Sequence, residues 1–125
     1  MAQWGRAFGT AAEFVVVPSV QAVRLADKVS FEIGASLGVP AMTAHRCLFA
    51  DGDLRGKRVL VQGGAGAVGN AAILLAKWAG AWVATVSREE QAEVARAAGA
   101  DLVLNRHEED VAQGIRPAAT ASIVS

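Results

Sequence analysis

The sequence predicts an α/β fold built on a parallel sheet, and three observations lead there. From Arg58 onward, short β-branched runs alternate with segments of helical period. The connections between those runs are too long for hairpins, which specifies parallel pairing through right-handed crossovers. A glycine-rich turn, GGAGAVG, joins the first run to the first helix of the alternating region.

Taken in order, the elements begin with Glu13 to Pro18 (EFVVVP), a β-branched and aromatic run that stops at a proline and reads as a strand. A second strand is expected at Ala22 to Leu25. Ser30 is placed as the N-cap of a short helix, FEIGASLG, with Glu32 near its positive end. Pro40 opens another helical stretch, AMTAHRCLF, which ends at the turn-rich DGDLRG. RVLVQ then reads as a buried strand, and NAAILLAKWAG as a helix that stops at Gly80. Its core face is expected at Val68, Ala72, Leu75, Ala76 and Ala79, with Asn70 and Lys77 off it. WVATV is the second strand of the alternating region. Ser87-Arg88-Glu89-Glu90 fits a capping box opening the helix EEQAEVARAA, which Gly99 closes. DLVLN is the third strand, and Glu108 to Arg116 the last helix. The sum is one βαβαβ half of a dinucleotide-binding fold, which needs two such halves. After Pro117 the sequence offers no fourth strand and helix, so the expectation is a chain cut short at both ends.

Composition excludes several classes of function. A length of 125 residues bounds the chain to one domain's worth of core. Twelve basic and twelve acidic side chains cancel to a net charge of zero, which argues against a nucleic-acid or anionic-membrane partner. The single cysteine, Cys47, excludes an internal disulfide and a multi-thiolate zinc site within this chain. Val59 to Ala76 is uncharged and as long as a membrane span, yet it contains Gly63, Gly64, Gly66 and Gly69 with Gln62 and Asn70, so two soluble elements fit better. No export signal is read around Arg6, and a cytoplasmic location is expected. Packing or surface roles are expected for His45, His107 and Cys47, which lack zinc-ligand spacing, and for Trp4, Trp78 and Trp82.

The motif that specifies chemistry is Gly64-Ala65-Gly66-Ala67-Val68-Gly69, a G-x-G-x-x-G string placed after an apolar strand and opening an amphipathic helix. Gly64 is assigned the tight turn, Gly66 the close approach of backbone to a diphosphate, and Gly69 close helix-strand packing, with the first-turn amides holding the phosphates. The alternative is a turn that only connects two packed elements. A nucleoside-triphosphatase loop is defeated by Asn70 and Ala71, which stand where lysine and a hydroxyl residue belong. At the end of the second strand, Ser87 and Arg88 suit a ribose 2′-phosphate, favouring NADP over NAD. The competing view makes Ser87 an N-cap only, Arg88 a solvated residue, and Glu89 the partner of an unmodified ribose.

From about Gly9 to Arg116 the sequence resembles the medium-chain dehydrogenase/reductase superfamily, within it the zinc-free NADPH:quinone oxidoreductases similar to zeta-crystallin. The carriers are GTAAEFVVVP, GASLGVPAMTAHRCLF, RVLVQGGAGAVGNAAILLAKWAGA and AGADLVLNR. The resemblance implies a partial Rossmann sheet preceded by the last strands of a GroES-like catalytic domain. Residues 1–29 would be the remnant of that domain, 30–56 connecting helices, and 57–125 the first half of the cofactor domain. It carries Thr43 to a position near the nicotinamide, Ala65 to Gly69 to the diphosphate turn, and Asn105-Arg106 to the cofactor's vicinity. Val39 stands where the zinc-dependent alcohol dehydrogenases of the superfamily place a metal-binding cysteine, and an alkyl side chain cannot ligate zinc. The implied activity is hydride transfer from NADPH to a quinone or other activated enone, with no metal and no protein nucleophile. Alcohol dehydrogenase or enoyl reductase activity is the alternative within the superfamily. A non-catalytic NADP-binding module or an inactive truncated product is the alternative outside catalysis. In full-length members a homodimer is implied, paired through cofactor-domain strands beyond this sequence.

Overall fold

A β-branched run becomes a strand only where a neighbour accepts its backbone hydrogen bonds. In the computed structural model, which describes residues 9–108 and 110–118, three runs meet that condition. β1 (Arg58–Gln62), β2 (Trp82–Ser87) and β3 (Leu102–Asn105) form a parallel sheet in the order β1-β2-β3. Arg58 pairs with Trp82 and Gln62 with Val86, while Ser87 pairs with Asn105, so the three strands finish nearly level. Trp4, Arg6 and the tail beyond residue 118 lie outside the described residues.

The chain divides into two compact units, Met1–Val39 and Pro40–Ser125. In the first, the two expected strands are absent: Glu13 to Pro18 and Ala22 to Leu25 are irregular around a 3-10 turn at Ser19–Gln21. β-branched residues favour a pleated surface only when another strand pairs with them, and the described residues of this unit supply none. The helix start at Ser30 is as expected, since the Ser30 Oγ accepts the Ile33 amide at 3.3 Å. The Glu32 amide, and after it the Ser30 hydroxyl, hold the Glu32 carboxyl below its ordinary range.

One helix, α1 (Phe31–Phe49), is broken at Gly38, whose ψ of −106° is not helical. Pro40 then restarts it, its missing N–H harmless in a first turn. The expected pair of short helices is therefore present as two pieces of α1.

The core of the second unit lies between the sheet and its helices. Ala44 and Leu48 from α1, Val59, Val61 and Val83 from the sheet, and Ala72, Ile73 and Ala76 from α2 (Ala67–Trp78) are buried together. Ala92 and Ala95 of α3 (Glu89–Ala97) are also buried. The buried face of α2 is rotated from the expected one: Gly69 and Ile73 face inward, and Val68 is 41% exposed. Leu54, in the turn-rich segment before β1, is buried and fastens that loop to the core. Gly80 and Gly99, at φ +81° and +99°, follow α2 and α3 as expected.

At the N-terminal end of the sheet, Asp101 Oδ2 accepts the Val83 amide at 2.7 Å and Lys77 Nζ at 2.8 Å. Trp78 stays 81% exposed, whereas Trp82 lies beneath the Arg58 guanidinium, 5.6 Å from the ring centre. A short last helix, α4 (Val111–Ile115), is capped by the Asp110 carboxylate. Among the described residues no helix is long and apolar enough to cross a membrane.

Candidate functional site

The strands of a parallel sheet direct their C-terminal ends to one edge, where loops gather. Here the first such loop is the glycine turn. Gly63, not Gly64, adopts the left-handed conformation, at φ +70°. Its amide donates to the Val86 carbonyl at 2.9 Å and its carbonyl accepts the Gly66 amide at 2.9 Å. The expected assignment of the turn to Gly64 is thus corrected by one residue. Gly64 is required for a different reason: a Cβ there would collide with the Thr85 hydroxyl and lie 2.7 Å from Ile73 Cδ1. Thr85 is buried, and its Oγ1 donates to the Val61 carbonyl at 2.8 Å.

Gly66 is the N-cap of α2 and provides no side-chain acceptor. The amides of Ala67, Val68 and Gly69 therefore lack acceptors within the helix, and the positive end of the dipole stands behind them. A Cβ at Gly66 would meet only the Gly63 carbonyl, at 3.3 Å, so its outer side is open to a ligand. A Cβ on Gly69 would fall on the backbone of Gly63 and Gly64. Gly69 therefore packs closely against the turn, not against a strand as expected.

Beside the turn an open cleft of about 570 Å³ is lined by Gln62, Gly63, Val86, Ser87, Arg88, Gln91, Arg106 and Val111. Among the described residues no carboxylate lines it. Ser87 is 6% exposed, and its Oγ has no hydrogen-bond partner among the described residues. The capping box is corrected here: β2 continues through Ser87, and Arg88 takes the N-cap position of α3 without a side-chain cap bond. A buried hydroxyl without a partner costs about 1–3 kcal/mol, which a ligand atom in the cleft would recover. Arg88 is exposed at the rim. Arg106 also lines the cleft, its Nε donating to His107 Nε2 at 3.3 Å. Asn105 ends β3 outside the cleft lining, and its Oδ1 accepts the His107 amide at 3.1 Å.

On the other flank of β1, an apolar hollow of about 210 Å³ is lined by Ala44, Cys47, Leu48, Val61, Val68 and their neighbours, and Gln62 borders both spaces. Thr43 is exposed on α1 and lines neither. The structure thus brings Ser87, Arg88 and Arg106 together beside the turn and leaves Thr43 apart. Gln91 and Val111 of the cleft were not singled out by sequence. Gln91 sits one helical turn after Arg88, a spacing that could have flagged it. His45 is exposed, its ring tilted 39° against that of Phe49 with centroids 4.8 Å apart. Among the described residues no group of three or more His, Cys, Asp or Glu could hold a metal ion.

No protein-family profile matches the chain. Individual relatives do. A quinone oxidoreductase of Pongo abelii is 34% identical over 102 residues, covering 80% of this chain and 31% of that protein. The chain is homologous to the medium-chain dehydrogenase/reductases. A solved mycobacterial protein complexed with NADPH superposes with a TM-score of 0.63 at 36% identity, covering 75% of this chain and 29% of that one. An NAD-dependent alcohol dehydrogenase superposes with a TM-score of 0.79 at 31% identity, covering 89% and 33%. Other homologues carry the names of a trans-enoyl reductase, a crotonyl-CoA reductase and a zinc-type alcohol dehydrogenase-like protein. The chain spans 26% to 34% of the length of the first curated relatives it matches. The α/β fold with a parallel half-Rossmann sheet is the one these structures share with it.

Proposed function

We propose that this chain supplies the diphosphate turn and the NADP-selecting cleft of a cytoplasmic, zinc-free oxidoreductase that passes hydride to a quinone or another activated enone. The supporting observation is the pairing of an uncapped α2 N-terminus with a cleft that presents Ser87, Arg88 and Arg106 and, among the described residues, no carboxylate. The residues fit the cofactor. Ala67, Val68 and Gly69 would donate to the diphosphate, and Gly66 would let it approach. The partnerless Ser87 hydroxyl and the Arg88 guanidinium suit a 2′-phosphate that a carboxylate would repel. When bound, the nicotinamide supplies the hydride; the protein's part is to hold donor and acceptor in place and to exclude water. Val39, at the position of a zinc-binding cysteine in the zinc-dependent members, supports the metal-free reading.

The test is calorimetric titration with NADPH and NADH, followed by an assay of quinone-dependent NADPH oxidation. NADPH should bind about tenfold more tightly, one charge-assisted contact being worth that much. Arg88→Ala should bring NADPH down to the NADH level and leave NADH unchanged. Gly66→Asp, which places a carboxylate against the diphosphate, should abolish binding and turnover. Equal or tighter binding of NADH, indifferent to Arg88→Ala, would refute the NADP assignment; NADPH oxidation unaffected by added quinone would refute the acceptor.

A further inference from the structure

α2 and α3 both return from the C-terminal to the N-terminal edge of the sheet and pack against one another, since right-handed crossovers in the order β1-β2-β3 bring both helices to one face. What α2 turns away from the sheet is apolar. Gly69, Ala72, Ile73 and Ala76 face inward, and Ala67, Ala71, Leu74 and Trp78 recur at helical spacing to form the outward stripe. Leu74 is 52% and Trp78 81% exposed. No charged residue falls between Ala67 and Ala76, and Lys77, beside the stripe, is paired with Asp101 at 2.8 Å. Val94 of α3, half-exposed, extends the apolar area onto the neighbouring helix. A tryptophan and a leucine left in water on one helix face mark an interaction surface.

The stripe is self-complementary in one arrangement. Its first half is small and its second half large, so a copy of α2 laid antiparallel sets Trp78 on Ala67 and Leu74 on Ala71 at once. The two-fold axis of that pair is level with the Ala72-Ile73 peptide. Parallel copies would stack large on large and leave the alanines apart. Electrostatics favours the same direction. The uncapped, positive start of α2 then faces the negative end of the other α2. α3 carries Glu89, Glu90 and Glu93 toward its start and Arg96 in its last turn, so a reversed copy offers guanidinium to carboxylate. With a net charge of zero, no overall repulsion opposes the approach.

We infer that the outward face of α2 and α3 is an isologous interface on which a second copy of this chain docks, α2 against α2 in antiparallel register. The interface is distinct from the pairing through later strands that the resemblance implies, and it stands independently of the cofactor reading, because it uses the sides of the helices that face away from the sheet. A face two helices wide, about 20 Å by 18 Å, is at the small end of specific interfaces, so the dimer is a weak one, with a dissociation constant on the order of 10–100 µM.

The experiment is sedimentation equilibrium on the full 125-residue chain from about 1 µM to about 1 mM, where a reversible monomer-dimer equilibrium should appear. Trp78→Glu and the milder Leu74→Gln should each weaken it at least about tenfold, with thermal melts in dilute solution unchanged because both positions are exposed. Cysteines introduced in a Cys47→Ser background read the register. Ala71→Cys copies, about 4.5 Å apart along the paired helices, should join by a disulfide on mild oxidation, whereas Ala67→Cys copies, about 16 Å apart, should not. A chain that stays monomeric to about 1 mM would overturn the inference. So would a dimer equally strong in both variants, or Ala67→Cys copies that link as readily as Ala71→Cys copies.

Discussion

Gly69→Ala tests whether the turn and α2 are packed as tightly as the structure places them. The added Cβ would collide with the Gly63 carbonyl oxygen and lie 2.9 Å from its carbon and 3.0 Å from Gly64 Cα. All three are backbone atoms held by the turn, so relief requires the helix start and the turn to separate by about an ångström. Overpacking of this kind costs ~1–3 kcal/mol, and rigid backbone neighbours place it at the upper end. Alanine's better helix propensity returns about 1 kcal/mol. The net loss is about 2 kcal/mol, or roughly 8–16 °C in Tm for a unit of this size. Gly66→Ala is the control, since its Cβ meets one oxygen at 3.3 Å and sits at an N-cap. It should cost well under about 1 kcal/mol in stability while weakening nucleotide binding. Thermal denaturation followed by circular dichroism reads both variants. A Gly69→Ala protein melting within about 2 °C of the parent, or a Gly66→Ala protein that melts lower than it, would refute the packing described here.

Other outcomes follow from single contacts. Asp101→Ala should destabilise by about 1–3 kcal/mol in urea titrations, because it strips the Val83 amide of its acceptor, whereas Lys77→Ala should cost under about 1 kcal/mol, its ion pair being part-exposed and screened. Leu54→Ala should cost about 2–5 kcal/mol despite lying in a loop, as chemical denaturation would show. In carbon-detected titrations the Glu32 carboxyl should titrate below a free glutamate, and Ser30→Ala should move it upward. The sign is that of a depressed acid: the support Glu32 gives to the start of α1 is present above its unfolded pKa and lost as pH falls through the folded one.

The alternating region was legible because each of its elements is specified locally. RVLVQ is bounded by a turn and a glycine cluster, and β1 has those limits; Gly80 and Gly99 mark the helix ends they follow. The N-terminal runs misled for a physical reason, since EFVVVP carries strand propensity and propensity forms no strand without a pairing partner. Ser87 misled through ambiguity: serine before two glutamates looks like a cap, yet pairing with Asn105 keeps it in the sheet. The left-handed residue escaped notice because the three-glycine pattern begins one position after it. Of the site, the turn, Ser87, Arg88 and Arg106 could be read from sequence. Gln91 and Val111 reach the cleft only through the placement of α3 and α4 against the strand ends.

Thr85 and Ile73 fill the space a side chain at Gly64 would need, so the surface loop is fitted against two buried residues. Trimming or enlarging either one would shift the turn and with it the amides at the start of α2, so the geometry of the proposed nucleotide site is partly set from the interior. Variants chosen for tighter or looser binding should therefore include substitutions at those hidden positions, far from any solvent-facing surface.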